Sequence, residues 1–249
     1  IICGGFPCQP YSTAGKRQVK DPRNDLFMQF CRLIDELGPK VFVMENVSGM
    51  AKGTMKGKFI EIMRTLKTMN YFVKAKQMNA MYYGVPQSRQ RIIFIGTRKD
   101  LKKDPTFPSP SNKITRANEA LKDVKPNHIH HLSDKYGLLW SKIKPGSNAA
   151  SVLNGSGFNS CVKLNPLKPC PTLPKMQGGK GFATIAHWKE PRALAINEAK
   201  VLCSFPENWK MTGKYQEQWA RLGNAVMPKF MQAIAMTIKT EILNKETYG

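Results

Sequence analysis

The sequence is short of acidic residues, of paired cysteines and of long apolar runs, and each shortage excludes a class of protein. Seventeen Asp and Glu stand against 39 Lys and Arg in 249 residues, a formal net charge of +22. Such an excess is either a solvated surface or the footprint of a polyanionic partner, because clustered cations gain affinity by releasing phosphate counterions. Charge alone does not separate DNA, RNA and a membrane surface. The six cysteines, Cys3, Cys8, Cys31, Cys161, Cys170 and Cys203, contain no Cys-x-x-Cys pair. That argues against a disulfide framework or a four-cysteine zinc site, and for a reducing, cytoplasmic setting. No apolar run approaches the ~20 residues that span a bilayer, and no signal peptide is visible, so no membrane role is expected. Gly179-Lys180 lacks the Gly-x4-Gly-Lys-Ser/Thr spacing of a nucleotide-phosphate loop. His128, His130 and His131 have no Cys or carboxylate at ligand spacing, so no metal is expected.

What is present alternates. "IICGG" reads as the end of a buried strand, and Leu26, Phe30, Leu33, Ile34 and Leu37 fall on one helical face before Gly38-Pro39. "KVFVME" is a short apolar strand, and Phe59, Ile62, Met63, Leu66 and Met69 mark a second amphipathic helix. "YFVKAKQM" alternates, and "RIIFIGT" is again a buried strand. Apolar strands between amphipathic helices imply an α/β fold with a mostly parallel sheet. From about Lys102 to Lys189 the chain is rich in Pro, Gly, Ser, Asn and Lys, which suggests a smaller irregular module with short strands. Helical signals return in "NEAKVLCSF" and in "PKFMQAIAMTIKTEIL", where Pro228 suits a first helical turn.

Ligand sites of open α/β sheets lie beyond the carboxyl ends of the strands. Three clusters fall at such ends: Phe6-Pro7-Cys8-Gln9, Glu45-Asn46-Val47, and Gln87-Ser88-Arg89-Gln90-Arg91. Singly, each has an ordinary explanation: a buried cysteine, a helix-capping carboxylate, solvent-facing arginines. Together they bring a thiol whose thiolate nearby cations favour and a carboxyl able to hold a proton. That pair suits a pyrimidine whose C5 must become nucleophilic. Thiolate addition at C6, with a proton or hydrogen bond at N3, turns the ring into an enamine.

The ordered blocks "GGFPCQPYS", "DPRNDLFMQF", "VMENVSGM", "MNAMYYGVPQSRQRIIFIG", "RALAINEAKVLCSFPENW" and "RLGNAVMPKF" resemble the cytosine-C5 DNA methyltransferases of bacteria and phages, nearly end to end. The resemblance implies a Rossmann-like S-adenosylmethionine-dependent methyltransferase sheet and a smaller, mainly β and loop, target-recognition domain. Residues 1–101 and 190–249 would form the catalytic domain and 102–189 the recognition domain. It makes Cys8 the nucleophile, Glu45 the contact to N3 and the exocyclic amine, Arg91 the holder of O2, and Arg89 a positioner of neighbouring backbone. Asn46 and Val47 would shape the turn. Gly5, Pro7, Leu26 and the Asn224-Ala225-Val226 turn would border S-adenosylmethionine. Duplex DNA would be met by Gln9, Ser12, Lys16, Arg17, Thr172, Lys175 and Lys180, with 12–25 as a basic lid over a flipped base.

The family's opening glycine-rich loop, and the acidic residue that holds the cofactor ribose, are missing from this sequence. The first residues match the family's fourth block, so Ile1 would fall in mid-strand. The sequence then reads as the later three-quarters of a methyltransferase: a truncated record, a fragment, or one chain of a split enzyme that a separate chain completes. Alone it is expected to be inactive. Ala195 stands where the family usually carries Thr or Ser. The alternatives are a tRNA cytosine-C5 methyltransferase, which keeps the chemistry, and a catalytically silent DNA-binding remnant. Thymidylate synthase lacks the Glu-Asn-Val and Gln-x-Arg-x-Arg blocks, and amino-methyltransferases need an Asp/Asn-Pro-Pro-aromatic motif absent here. Whether the setting is a restriction–modification system, a phage or a solitary regulator is not legible in the residues.

Overall fold

The structure is a computed structural model that describes residues 1–5, 26–153, 161–178 and 181–244. It packs as two units. One comprises Ile1–Asn79, Gln90–Ser109 and Ala233–Gly249, and the other Ala80–Arg89 and Pro110–Gln232. Composition places the break near Lys102, whereas the first unit runs on to Ser109. Residues 190–232, expected to rejoin the catalytic part, pack in the second unit.

The first unit is a four-stranded sheet with helices. Its elements are β1 (Ile2–Gly4), α1 (Leu26–Leu37), β2 (Val41–Val47), α2 (Lys56–Thr68) and β3 (Tyr71–Asn79). The second unit contributes β4 (Gln87–Ser88), and the first then continues with β5 (Gln90–Arg98). The sheet order is β1-β2-β5-β3. β1 runs parallel to β2, but β5 is antiparallel to both β2 and β3. The expectation of a mostly parallel sheet is therefore corrected to a mixed one. The cause is the link between β3 and β5: residues 80–89 carry no crossover helix, and a parallel return needs a dozen or more residues, usually helical.

Val41, Phe42, Val43, Met44, Ile93, Phe94 and Ile95 are almost wholly buried, which explains why β2 and β5 read as continuous apolar runs. Phe42, Phe94, Ile34, Ile62 and Leu66 join one core. The face foreseen for α1 holds in part. Ile34 is buried and Phe30 packs against the same core, joined by Phe27 and Cys31, while Leu26, Leu33 and Leu37 are exposed. The inward stripe is thus rotated toward Phe27 and away from the leucines.

The second unit holds small elements: α3 (Ala117–Ala120), α4 (Asp134–Lys142), β6 (Val162–Lys163), β7 (Cys170–Pro171) and β8 (Ile185–Ala186). β4 pairs with β7 and β6 with β8, both parallel. Two-residue strands match the irregular module expected there. Then come α5 (Ile196–Leu202) and α6 (Tyr215–Asn224), and α7 (Pro228–Thr237) begins at the proline as anticipated. Gly223-Asn224, expected as a turn, forms the last residues of α6 instead. Among the described residues no helix is long and apolar enough to cross a membrane.

Candidate active site at the strand ends

The antiparallel direction of β5 builds the site. Because β5 runs against β2, its first residues lie at the carboxyl end of β2. Val47 pairs with Arg91 and Glu45 with Ile93. Glu45 and Arg91 are thus diagonal neighbours on one face of adjacent strands, within reach of long side chains. Arg91 Nε meets Glu45 Oε1 at 2.6 Å, with the two side chains only 13% and 19% exposed. Arg91 Nη1 also donates to the Gln90 carbonyl at 2.7 Å.

β1 closes the third side. A Cβ on Gly5 would lie 3.2 Å from the Glu45 carbonyl oxygen, a tight approach to backbone, and 3.4 Å from Oε2, an ordinary contact, so glycine leaves the end of β2 undisturbed. Cys8 follows three residues later. It lies outside the described residues, as do Pro7, Gln9, Ser12, Lys16, Arg17 and Lys180. The other five cysteines do not compete for its role. Burial pushes the thiols of Cys31 and Cys203 up to about 11, raises Cys161, and holds Cys170 well above the usual value. Cys3 is exposed as a residue, yet desolvation of its sulfur raises it too. A raised thiol carries little thiolate and is a poor nucleophile.

Asn46 is 1% exposed, and its Oδ1 accepts the Val47 N–H at 2.8 Å. That contact fits a residue that shapes the strand end. Its Nδ2 finds no partner among the described residues.

In the second unit, Arg89 is buried at 3% exposure. Its Nη2 donates to the Gly223 carbonyl at 2.8 Å and Nη1 to that of Leu173 at 3.4 Å. Thr172 is exposed, and its hydroxyl donates to the Ser88 carbonyl at 2.8 Å. Gln87 received no role from its sequence block, yet it is fully buried, accepting from Leu173 N–H and donating to Cys203 Sγ, both at 3.3 Å. Its place beside Arg89 in the Gln-x-Arg-x-Arg block was the available signal. Lys175, Asn224 and Leu26 are exposed, and Ala225 and Val226 half-buried. Among the described residues no group of three or more His, Cys, Asp or Glu could hold a metal ion.

A mixed α/β sheet flanked by helices is consistent with a Rossmann-like fold. Comparison with known proteins makes the class specific. Residues 1–240 match the model of the C-5 cytosine-specific DNA methylase family. The chain is 32% identical to the type II methyltransferase M1.HphI of Haemophilus parahaemolyticus, over 96% of this chain and 68% of that protein. It is 30% identical to the type II methyltransferase M.NgoFVII of Neisseria gonorrhoeae, over 96% and 69%. Among solved structures it resembles a protein described as a DNA modification methyltransferase encoded within an E. coli prophage. There the TM-score is 0.76 at 22% identity, covering 96% of this chain and 78% of that one. The chain belongs to the C-5 cytosine-specific DNA methylase family.

Proposed function

We propose that this protein transfers a methyl group from S-adenosylmethionine to C5 of a cytosine flipped out of duplex DNA, with Cys8 as the nucleophile. The observation that carries the reading is the Glu45–Arg91 pair at 2.6 Å, set at the strand ends of a family member. In this mechanism the Cys8 thiolate forms a bond to C6 and the ring electrons shift toward C5. Glu45 supplies a proton or hydrogen bond at N3, and Arg91 holds both O2 and the Glu45 carboxylate. The cofactor supplies an electrophilic methyl group. Loss of the C5 proton then restores the ring double bond and releases the thiolate. The base must leave the stack first, at a cost of a few kcal/mol, because C6 is unreachable inside a duplex.

Two features of the described residues support that cofactor. Gly5 keeps the end of β1 free of side chain beside Glu45, and Leu26, 44% exposed at the start of α1, offers apolar surface. Asn224, Ala225 and Val226 would border it as well. Arg89 acts here as a positioning residue, through the carbonyls it holds. Thr172 and Lys175, with Gln9, Ser12, Lys16, Arg17 and Lys180 outside the described residues, would meet DNA. The first unit would then be mainly catalytic and the irregular module the target-recognition part.

The sequence carries no glycine-rich cofactor loop, and among the described residues β1 pairs only with β2. In this reading, binding of S-adenosylmethionine and turnover by residues 1–249 depend on such a loop being supplied. Methylation by the purified 249-residue chain, with no partner, overturns that point. The main test supplies an amino-terminal cofactor-loop unit of the family, fused or in trans, and offers duplexes containing 5-fluorocytosine. Fluorine at C5 blocks the final elimination, so a covalent protein–DNA adduct should accumulate and vanish in Cys8→Ala. Duplex binding without any adduct would instead favour a silent DNA-binding remnant.

A further inference from the structure

Met176 is 73% exposed, the most exposed large apolar side chain among the described residues. A lone exposed methionine on a loose loop needs no explanation. The backbone under this one, however, is tied down on both sides. The Trp219 indole N–H donates to the Pro174 carbonyl at 2.9 Å. Gly223 packs so closely beneath that a Cβ there would lie 2.4 Å from the Pro174 oxygen and 2.8 Å from Lys175 Cα.

Beyond Met176 the anchoring continues. The Thr184 hydroxyl donates to the Met176 carbonyl at 3.0 Å, and Thr184 N–H to that of Gln177 at 2.5 Å. Gln177, 1% exposed, uses its amide as a strand would, accepting from Ile185 N–H at 3.1 Å and donating to Ile185 O at 2.8 Å. The same platform holds Arg89 on Gly223 and Thr172 on Ser88. The protein thus orders a stretch of backbone around a side chain that contributes nothing to the fold.

We propose that Met176 is a specificity-determining residue that recognises a thymine near the target cytosine by apolar contact with its C5-methyl group. The inference rests on the duplex-DNA reading above. Its chemistry follows from what the groove offers: base edges present donors and acceptors, and the thymine methyl is their one apolar feature. A thioether neither donates nor accepts strongly, so it reads none of the polar code. Its flexibility suits a shallow methyl contact on a fixed backbone.

The test uses the full chain and reads duplex binding with and without S-adenosylhomocysteine. Duplexes bound from a random pool are sequenced, and each preferred thymine is replaced by deoxyuridine, which lacks only the methyl group. Wild-type protein should prefer thymine at one position and lose roughly three- to fivefold in affinity on that replacement, the worth of one buried methyl. Met176→Ala should bind the two duplexes equally, and Met176→Leu should keep the preference. Lys175→Ala should weaken both alike and reduce the salt slope by about 1, as a phosphate contact does. All three substitutions sit on the surface and should leave thermal unfolding unchanged. Retained discrimination in Met176→Ala, or no preferred thymine for the wild type, overturns the proposal with the DNA reading intact. Failure to bind any duplex overturns the DNA reading itself.

Discussion

Two glutamate–arginine pairs in this protein have the same chemistry and different surroundings. Glu45 and Arg91 meet at the open end of the sheet, with part of each side chain left to solvent and carboxylate oxygen Oε2 beside Gly5. Glu198 and Arg192 meet in the second unit, each 2% exposed, and nearly every polar atom is spent. Arg192 binds Glu198 twice, at 2.8 and 2.9 Å, Glu190 at 2.5 Å and the Ala193 carbonyl at 3.1 Å. Glu198 also accepts the Ala195 N–H at 2.7 Å. The saturated pair can only hold structure. The pair with accessible capacity can exchange partners with a substrate, and that difference is why the proposed function is built on it.

The comparison breaks first at the buried pair. Glu198→Ala leaves a guanidinium with no water and half its partners, which costs about 3–5 kcal/mol. Denaturant unfolding of the variant should show that loss, and a change below ~1 kcal/mol would mean that the pair is solvated in solution. His187 sharpens the point. It is 6% exposed, and burial together with the Arg192 charge pushes its imidazole down to about 4. Between pH 6.5 and 4 the unfolded chain therefore binds a proton that the folded protein refuses. His187 favours folding fully above pH 6.5, and that share is lost as the pH falls toward 4, on the order of 3 kcal/mol in all. Unfolding measured at pH 7 and pH 4 should show a smaller difference for His187→Gln than for wild type. Equal differences would place the imidazole in water.

At the strand-end pair the expectation reverses. If Glu45 serves N3 as proposed, Glu45→Gln keeps the shape but loses the carboxyl, and methyl transfer should fall about a hundredfold or more. Stability should move less than in Glu198→Ala, because glutamine keeps the shape and an oxygen acceptor for Arg91. A variant that unfolds readily but keeps its rate would make this pair structural, and the contrast between the two pairs would collapse.

How far residues alone reveal such a contrast depends on distance along the chain. Periodicity exposes β2, α2, β3 and β5 because local burial imposes it, but carries no sign of strand direction. The antiparallel insertion of β5, which brings Arg91 to Glu45, was legible only in the brevity of residues 80–89. Motif blocks named Glu45 and Arg91 without that geometry. Arg89 is the opposite case. An arginine near a strand edge reads as solvent-facing, and it is buried because carbonyls 84 and 134 residues away receive it. The inward face of α1 is legible only in part for a related reason: Phe30 and Ile34 belong to it, the leucines do not. Leucines outnumber Phe27 and Cys31, but which stripe turns inward is decided by Phe42 and its neighbours in the sheet.

The smallest expected effect concerns the cap beside the buried pair. Ala195 is the residue before the first turn of α5, in extended conformation at φ −71° and ψ 160°, and has no side-chain acceptor for the helix N–H groups. Glu198 supplies only the reciprocal half of a capping box, from its carboxylate to Ala195 N–H. Ala195→Ser adds the missing acceptor within reach of the Asn197 or Glu198 N–H, and should stabilise the protein by about 1 kcal/mol. Ala195 is 1% exposed, so the new hydroxyl is buried and must be satisfied by the cap it makes. Greater stability in Ala195→Ser, with the His187 pH dependence unchanged, shows that the cap and the ion pair act separately. Loss of stability would mean that the saturated pair leaves no room for a further polar atom, and that its packing, rather than its hydrogen bonds, sets the limit.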